Sequence, residues 1–261
     1  MQPIQIPTMK QKSSIDNMHL IPAGKFLMGA NGWGEFESPV HEIYLDNFLI
    51  DETHVTNFQF SEFVSQANYK TTAEINDFAM GYENGEMKKI PGLYWKSYYT
   101  EERQNHPVVL VSWYDANEFA KWSGKRLPTE AEWEKAARGG LEQTLHPWGN
   151  YQPLLETCNW GKQTVNFPAT TDVKSFAPNH FGLFDMAGNV WNWCNDWFGE
   201  NYYENEIYKN PEGAIDGITK VRRGASFNIM QTFRLRCSNR GAFNPESYAI
   251  NIGFRCVKDF E

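Results

Sequence analysis

The chain has 261 residues, enough for one large domain or two small ones, and its net charge of −8 argues against a general nucleic-acid binder, which needs a basic face. No run approaches the roughly 18 apolar residues of a membrane span, so no membrane partner is expected. Ten Trp, with 20 Gly and 13 Pro spread along the chain, describe an aromatic-rich core held in many turns.

Residues 1–17 are polar, lack an apolar signal core and read as a flexible leader, so a cytoplasmic location is expected. Residues 18–261 read as a single domain. His19 to Gly29 has an apolar strand pattern interrupted at Pro22 and Gly24 and predicts a hairpin. Residues 31–39 read as a surface loop. Alternation at Ile43, Leu45, Phe48 and Ile50 predicts one strand over His41 to Ile50. The spacing then turns helical, with Thr56 as N-cap and Phe60, Phe63 and Val64 on one face. Residues 67–104 are polar and aromatic and predict a long ordered loop with short strands, the kind of segment that often carries function.

Pro107 to Val111 predicts a short strand. Ser112 is placed to cap a helix carrying Ala116, Phe119, Ala120 and Trp122, ended by Gly124. Thr129 and Glu132 form a capping box for the next helix, a local reason for the motif that implies no chemistry. Residues 200–217 read as a loop. The four cysteines, Cys158, Cys194, Cys237 and Cys256, form no CxxC pair, which argues against a zinc ribbon. Their number permits two disulfides; without a secretion signal, free buried thiols are expected.

The most informative stretch is Phe181-Gly182-Leu183-Phe184-Asp185-Met186-Ala187-Gly188-Asn189-Val190-Trp191-Asn192-Trp193. Asp185, the carbonyls near Gly188 and Val190, and the Asn192 side chain supply oxygens suited to a hard cation such as calcium. The same residues also suit a tight turn entering a Trp-rich strand.

This stretch resembles the signature of the formylglycine-generating enzyme (sulfatase-modifying factor) family. Further motifs follow that family's order: Pro22-Ala23-Gly24-Lys25-Phe26-Leu27-Met28-Gly29, Val55-Thr56-Asn57, Gly124 through Glu134, His146-Pro147-Trp148-Gly149, Arg223-Gly224-Ala225-Ser226-Phe227 and Ile252-Gly253-Phe254-Arg255. The resemblance covers roughly residues 19 to 258. It implies an α+β fold related to C-type lectins, with little regular secondary structure, a twisted antiparallel sheet and a few helices. It also implies a structural calcium at Asp185, Gly188, Val190 and Asn192. Asn192 stands where relatives carry Glu, which removes a charge and lowers the expected affinity. The family's further calcium site, beginning at Asn159, lacks an acidic residue until Asp172 and is not expected.

The family enzymes oxidise a substrate cysteine with two copper-binding cysteines located after the Gly-Gly-Ser motif. Here the first falls near Ile229, and the second is missing in a shortened loop. Soft thiolates select Cu(I), so without the pair sulfatase maturation is not expected, and any redox metal is unknown. A second branch holds iron with three histidines of an extra helical domain. The six histidines here are scattered and no such domain is present. What the resemblance leaves is a substrate groove around Trp191, Ser226 and Asn251. Asn228, Arg234, Arg236, Asn239 and Arg240 lie on the same segment; salt bridging to the acidic excess is the other reading of the arginines. Ser226 has no evident His or Asp partner, so no Ser nucleophile is expected. The expected function is an oxidoreductase of this family acting on a peptide or peptide-derived natural product. The alternative is a non-catalytic, calcium-stabilised module binding a protein, peptide or small-molecule ligand.

Overall fold

The computed structural model describes residues 17–163, 168–204 and 207–260; all of the expected leader except Asn17 lies outside the described residues. In chain order the elements are β1 (Met18–Ile21), β2 (Gly24–Met28), β3 (His41–Leu45), β4 (Phe48–Asp51), α1 (Asn57–Ala67), α2 (Thr72–Asn76), β5 (Phe78–Glu83), β6 (Glu86–Pro91), α3 (Trp113–Trp122), α4 (Glu130–Arg138), β7 (Trp191–Trp197), β8 (Lys220–Arg223), β9 (Arg240–Phe243), β10 (Ile252–Gly253) and β11 (Val257–Asp259). They form sheets ordered β1-β4-β11 and β10-β7-β8-β9, plus the ribbons β2-β3 and β5-β6. Strand pairings are antiparallel except that of β10 with β7, and the helices are few and short, as an α+β fold of this kind requires.

Three strand expectations are corrected. β1 and β2 do not form a hairpin, because Pro22 and Ala23 pass the chain from β4 as partner to β3. The predicted strand over His41 to Ile50 is two strands. It breaks at Asp46 and Asn47, where Asn210 Oδ1 accepts from the Asp46 N–H and Asn210 Nδ2 donates to the Asp46 carboxylate. Pro107 to Val111 is a buried connection rather than a strand, with Leu110 in the left-handed region. Its polar groups are still met: the Val108 N–H donates to Val55 O, the Leu110 N–H to Ala249 O, and Trp193 Nε1 to Val111 O.

The helix starts were legible. Thr56, Ser112 and Thr129 each accept from the backbone N–H three residues on, and each closes a capping box. α1 turns Phe60 and Phe63 inward and leaves Phe58 on the outer side. Those two rings join Trp95, Phe119, Phe254, Trp191 and Trp193 in the main apolar cluster. α4 differs in kind. Every residue from Glu130 to Arg138 is buried, the charged ones included, so this helix carries ionic groups into the interior. No helix among the described residues is long and apolar enough to cross a membrane.

Candidate functional site

The site is built outward from β8. Side chains alternate across a strand, so adjacent Arg222 and Arg223 face opposite ways. Arg223 points inward to α4: its Nη1 lies 2.7 Å from Glu130 Oε1, and its Nη2 reaches Glu134 Oε2. Arg138 binds Glu134 Oε1 at 2.6 Å, and Arg240 forks onto both oxygens of Glu130. Burial raises the Glu130 and Glu134 carboxyls, but the surrounding guanidiniums outweigh it and hold both below the ordinary Glu value.

Arg222 faces the other way, into a groove of about 560 Å³. Its guanidinium carbon lies 4.6 Å from the Trp191 ring centroid and 4.8 Å from that of Phe243. Phe78, Met80 and Met87 of the β5-β6 ribbon form one wall, and residues 243–251 form another. Behind the groove wall the buried Ser226 Oγ donates to Asn228 Oδ1 at 2.8 Å. Asn251 Nδ2 donates to Asn228 Oδ1 at 3.0 Å and to Ser226 Oγ at 3.3 Å. The Ser226 hydroxyl proton therefore serves an amide oxygen rather than a base.

Of the expected groove residues, Asn228 and Asn251 line the groove, whereas Trp191 and Ser226 are buried behind it, Trp191 against Arg222 and Ser226 against the two Asn side chains. The structure does not bring Arg236 there, and this candidate is corrected. Arg236 is buried and forks onto Glu37, Nη1 to Oε2 and Nη2 to Oε1, each at 2.8 Å. Ser238 Oγ and Asn239 Nδ2 donate to the same carboxylate. Glu37 comes from the loop after β2, so the acidic excess claims Arg236, as it claims Arg240 through Glu130. The groove residue that sequence reasoning passed over is Arg222. Its signal was present: two adjacent arginines on a strand of which one must face in and the other out.

In the 185–192 loop, Asp185 and Asn189 take left-handed backbone conformations, as does Gly188, where an added Cβ would lie 2.5 Å from the Asn159 carbonyl oxygen. The Asp185 carboxylate is buried and accepts from the Lys174 N–H at 3.0 Å. Burial raises its pKa above the ordinary Asp value, a penalty on the charged form that a bound cation would relieve. Asn192 Oδ1 accepts from Arg255 Nε at 3.2 Å, and its Nδ2 makes only long contacts of 3.4 Å to Val190 O and 3.5 Å to Arg223 O. The Asp185 carboxylate, the Val190 carbonyl and the Asn192 amide oxygen thus each already accept from a donor of the chain, and the buried Arg255 is itself the cation against Asn192 Oδ1.

The donor set for thiolate-bound copper does not fit. Ile229 packs partly against the main apolar cluster, and no cysteine lines the groove. All four cysteines are free and buried. Burial pushes the Cys158 and Cys237 thiols up to about 12, and those of Cys194 and Cys256 well above their ordinary value. Among the described residues no three His, Cys, Asp or Glu side chains gather into a metal-binding group. Nor do the histidines converge on the groove. His54 is buried without a hydrogen-bond partner, His106 lies 2.8 Å from Thr170 Oγ1, and His146 Nδ1 lies 3.1 Å from Leu235 O.

Known proteins resemble this one over nearly its whole length. The model of the sulfatase-modifying factor enzyme 1-like domain matches residues 4–260. The formylglycine-generating enzyme of Thermomonospora curvata is 37% identical, with 97% of each chain covered. The inactive C-alpha-formylglycine-generating enzyme 2 of Bos taurus is 34% identical, covering 92% of this chain and 87% of that one. Among solved structures, PvdO from Pseudomonas aeruginosa superposes with a TM-score of 0.75 at 24% identity, covering 95% of this chain and 97% of that one.

Proposed function

The chain belongs to the sulfatase-modifying factor (formylglycine-generating enzyme) family, and from that premise we propose that its groove positions a peptide or peptide-derived small molecule for oxidative modification, by a route other than the family's paired-thiolate oxidation of sulfatase cysteine. One observation carries this reading. An open, largely apolar groove presents the polar side chains of Arg222, Asn228 and Asn251, which contact the buried Trp191 and Ser226, while every thiol is buried outside it and held protonated. A redox metal or oxidant remains to be supplied, and the reading assigns no residue to hold it.

A second reading is favoured by the same burial of the thiols, and by the similar identity to a relative named as inactive: a ligand-binding module without chemistry. In both, calcium held by Asp185, Gly188, Val190 and Asn192 would brace the strand that carries Trp191. The discriminating experiment is elemental analysis of protein purified without chelator or nickel, paired with mass spectrometry of peptides incubated with the protein in air. Stoichiometric iron or copper with a mass change in the peptide supports the enzyme. Calcium alone with unchanged peptides moves the assignment to the binding module.

A further inference from the structure

We propose that the groove binds a peptide through a side-chain carboxylate, with Arg222 as its counter-ion and Asn228 and Asn251 pairing with a peptide group beside it. This rests on the reading of the groove as a ligand site and names the class of ligand.

The first observation is a missing partner. Arg138, Arg236 and Arg240 each reach a carboxylate within 2.8 Å, and Arg223 reaches two. Both arginines of β8 have a buried Nε without a partner, but Arg222 alone of the two makes no hydrogen bond or ion pair with a described residue. A guanidinium drawn out of water needs an anion or several acceptors, and here neither is given by the chain. Glu246 lines the same groove but is not within ion-pair distance of Arg222.

The second is a like charge nearby. Burial, with a smaller contribution from the positive charge of Arg234, lowers the Arg222 pKa to about 10. Arg234 likewise has no carboxylate partner among the described residues. In a chain with 32 acidic and 24 basic residues, a guanidinium that lines an open groove without an acid marks a place for an incoming anion. Trp191 and Phe243 hold the Arg222 guanidinium in place, which favours the two-pronged hydrogen bonding that carboxylates offer.

The third selects a peptide over a simple anion. The Ser226–Asn228–Asn251 contacts use Asn228 Oδ1 and Asn251 Nδ2. Asn228 Nδ2 and Asn251 Oδ1 bond to no described residue. One donor and one acceptor are thereby presented side by side, the complement of a peptide C=O and N–H. Met80 and Met87 on the ribbon supply an adaptable apolar wall for the neighbouring side chain.

The test is a titration of the full 15N-labelled chain, followed by NMR, with Ac-Gly-Asp-Gly-NH2, Ac-Gly-Asn-Gly-NH2 and inorganic phosphate. The Asp peptide is expected to shift the Arg222 Nε–H and the Asn228 and Asn251 amide resonances, and to bind about tenfold more tightly than the Asn peptide, the scale of one charge-assisted hydrogen bond. Arg222→Gln should reduce the Asp peptide to the level of the Asn peptide while the rest of the spectrum stays unchanged, and Arg222→Lys should keep part of the difference. Equal binding of the two peptides, absence of binding by both, shifts confined to another surface, or tighter binding of phosphate than of the Asp peptide would each overturn the proposal. Carboxylate-dependent binding without a mass change in any peptide would uphold it while removing the oxidative reading, so the two can fail separately.

Discussion

Arg222 and Arg223 are neighbours on one strand, and they lead opposite lives. Arg223 is fully buried with two carboxylates of α4 around it and belongs to a network of Glu130, Glu134, Arg138 and Arg240. Arg222, one residue away, has aromatic rings beside it, another arginine nearby and no acid. The first is a finished interaction that fixes α4 against the sheet. The second is incomplete within the chain. A charge satisfied internally argues for architecture, whereas one left unsatisfied at an open groove argues for a ligand.

Breaking the finished side should have the largest effect. Glu134→Gln leaves Arg138 and Arg223 short of a buried counter-charge and is expected to cost about 3–5 kcal/mol, read from urea unfolding. Arg222→Met, by contrast, should change stability by less than about 1 kcal/mol, since no pairing is lost. Losses of equal size would erase the distinction between the two arginines.

Acid should rank next. His54 is held well below the ordinary histidine value of 6.5 by burial and by Arg255, and burial and Arg103 bring His106 to about 4. The unfolded chain takes up these protons near pH 6.5 and the folded chain does not. The stability they represent is therefore complete above that pH and is lost as pH falls from 6.5 toward 4, by about 1.4 kcal/mol per pH unit for each such proton. His54→Leu should flatten this slope in thermal melts taken across pH; an unchanged slope would take His54 out of the account.

Calcium gives a smaller and conditional effect. It should raise Tm, and Asp185→Ala should abolish the rise. Because the folded Asp185 pKa is raised, its carboxyl destabilises the metal-free fold increasingly as pH rises from the ordinary Asp value of 3.8 and fully above the folded pKa, so the calcium effect should grow over that window. Asn192→Glu should strengthen the response by restoring a charge. Identical melts in calcium and in chelator, for both the native chain and Asn192→Glu, would remove the ion from this loop.

Much of this was legible in the chain. Capping residues announce helix starts because their hydrogen bonds are local, so α1, α3 and α4 began where Thr56, Ser112 and Thr129 placed them. The family motifs gave the fold and brought out Trp191, Ser226 and Asn251. What local pattern could not give was the destination of charges. Whether Arg236 meets a ligand or Glu37 depends on a loop 199 residues away in sequence, and the capping box of α4 is silent about the buried ion network beyond it. Strand partners failed for the same reason. Alternation continues from β3 into β4, yet the chain changes sheets between them.

The sealed thiols have a practical consequence. Toward alkylating reagents and fluorophores the native fold should behave as though it had no cysteine, because its sulfurs are both covered and protonated. One cysteine introduced at Ile229 would then be the only sulfur that a probe finds. By the family resemblance it would stand near the place of the first catalytic cysteine, as a reporter for whatever enters beside it.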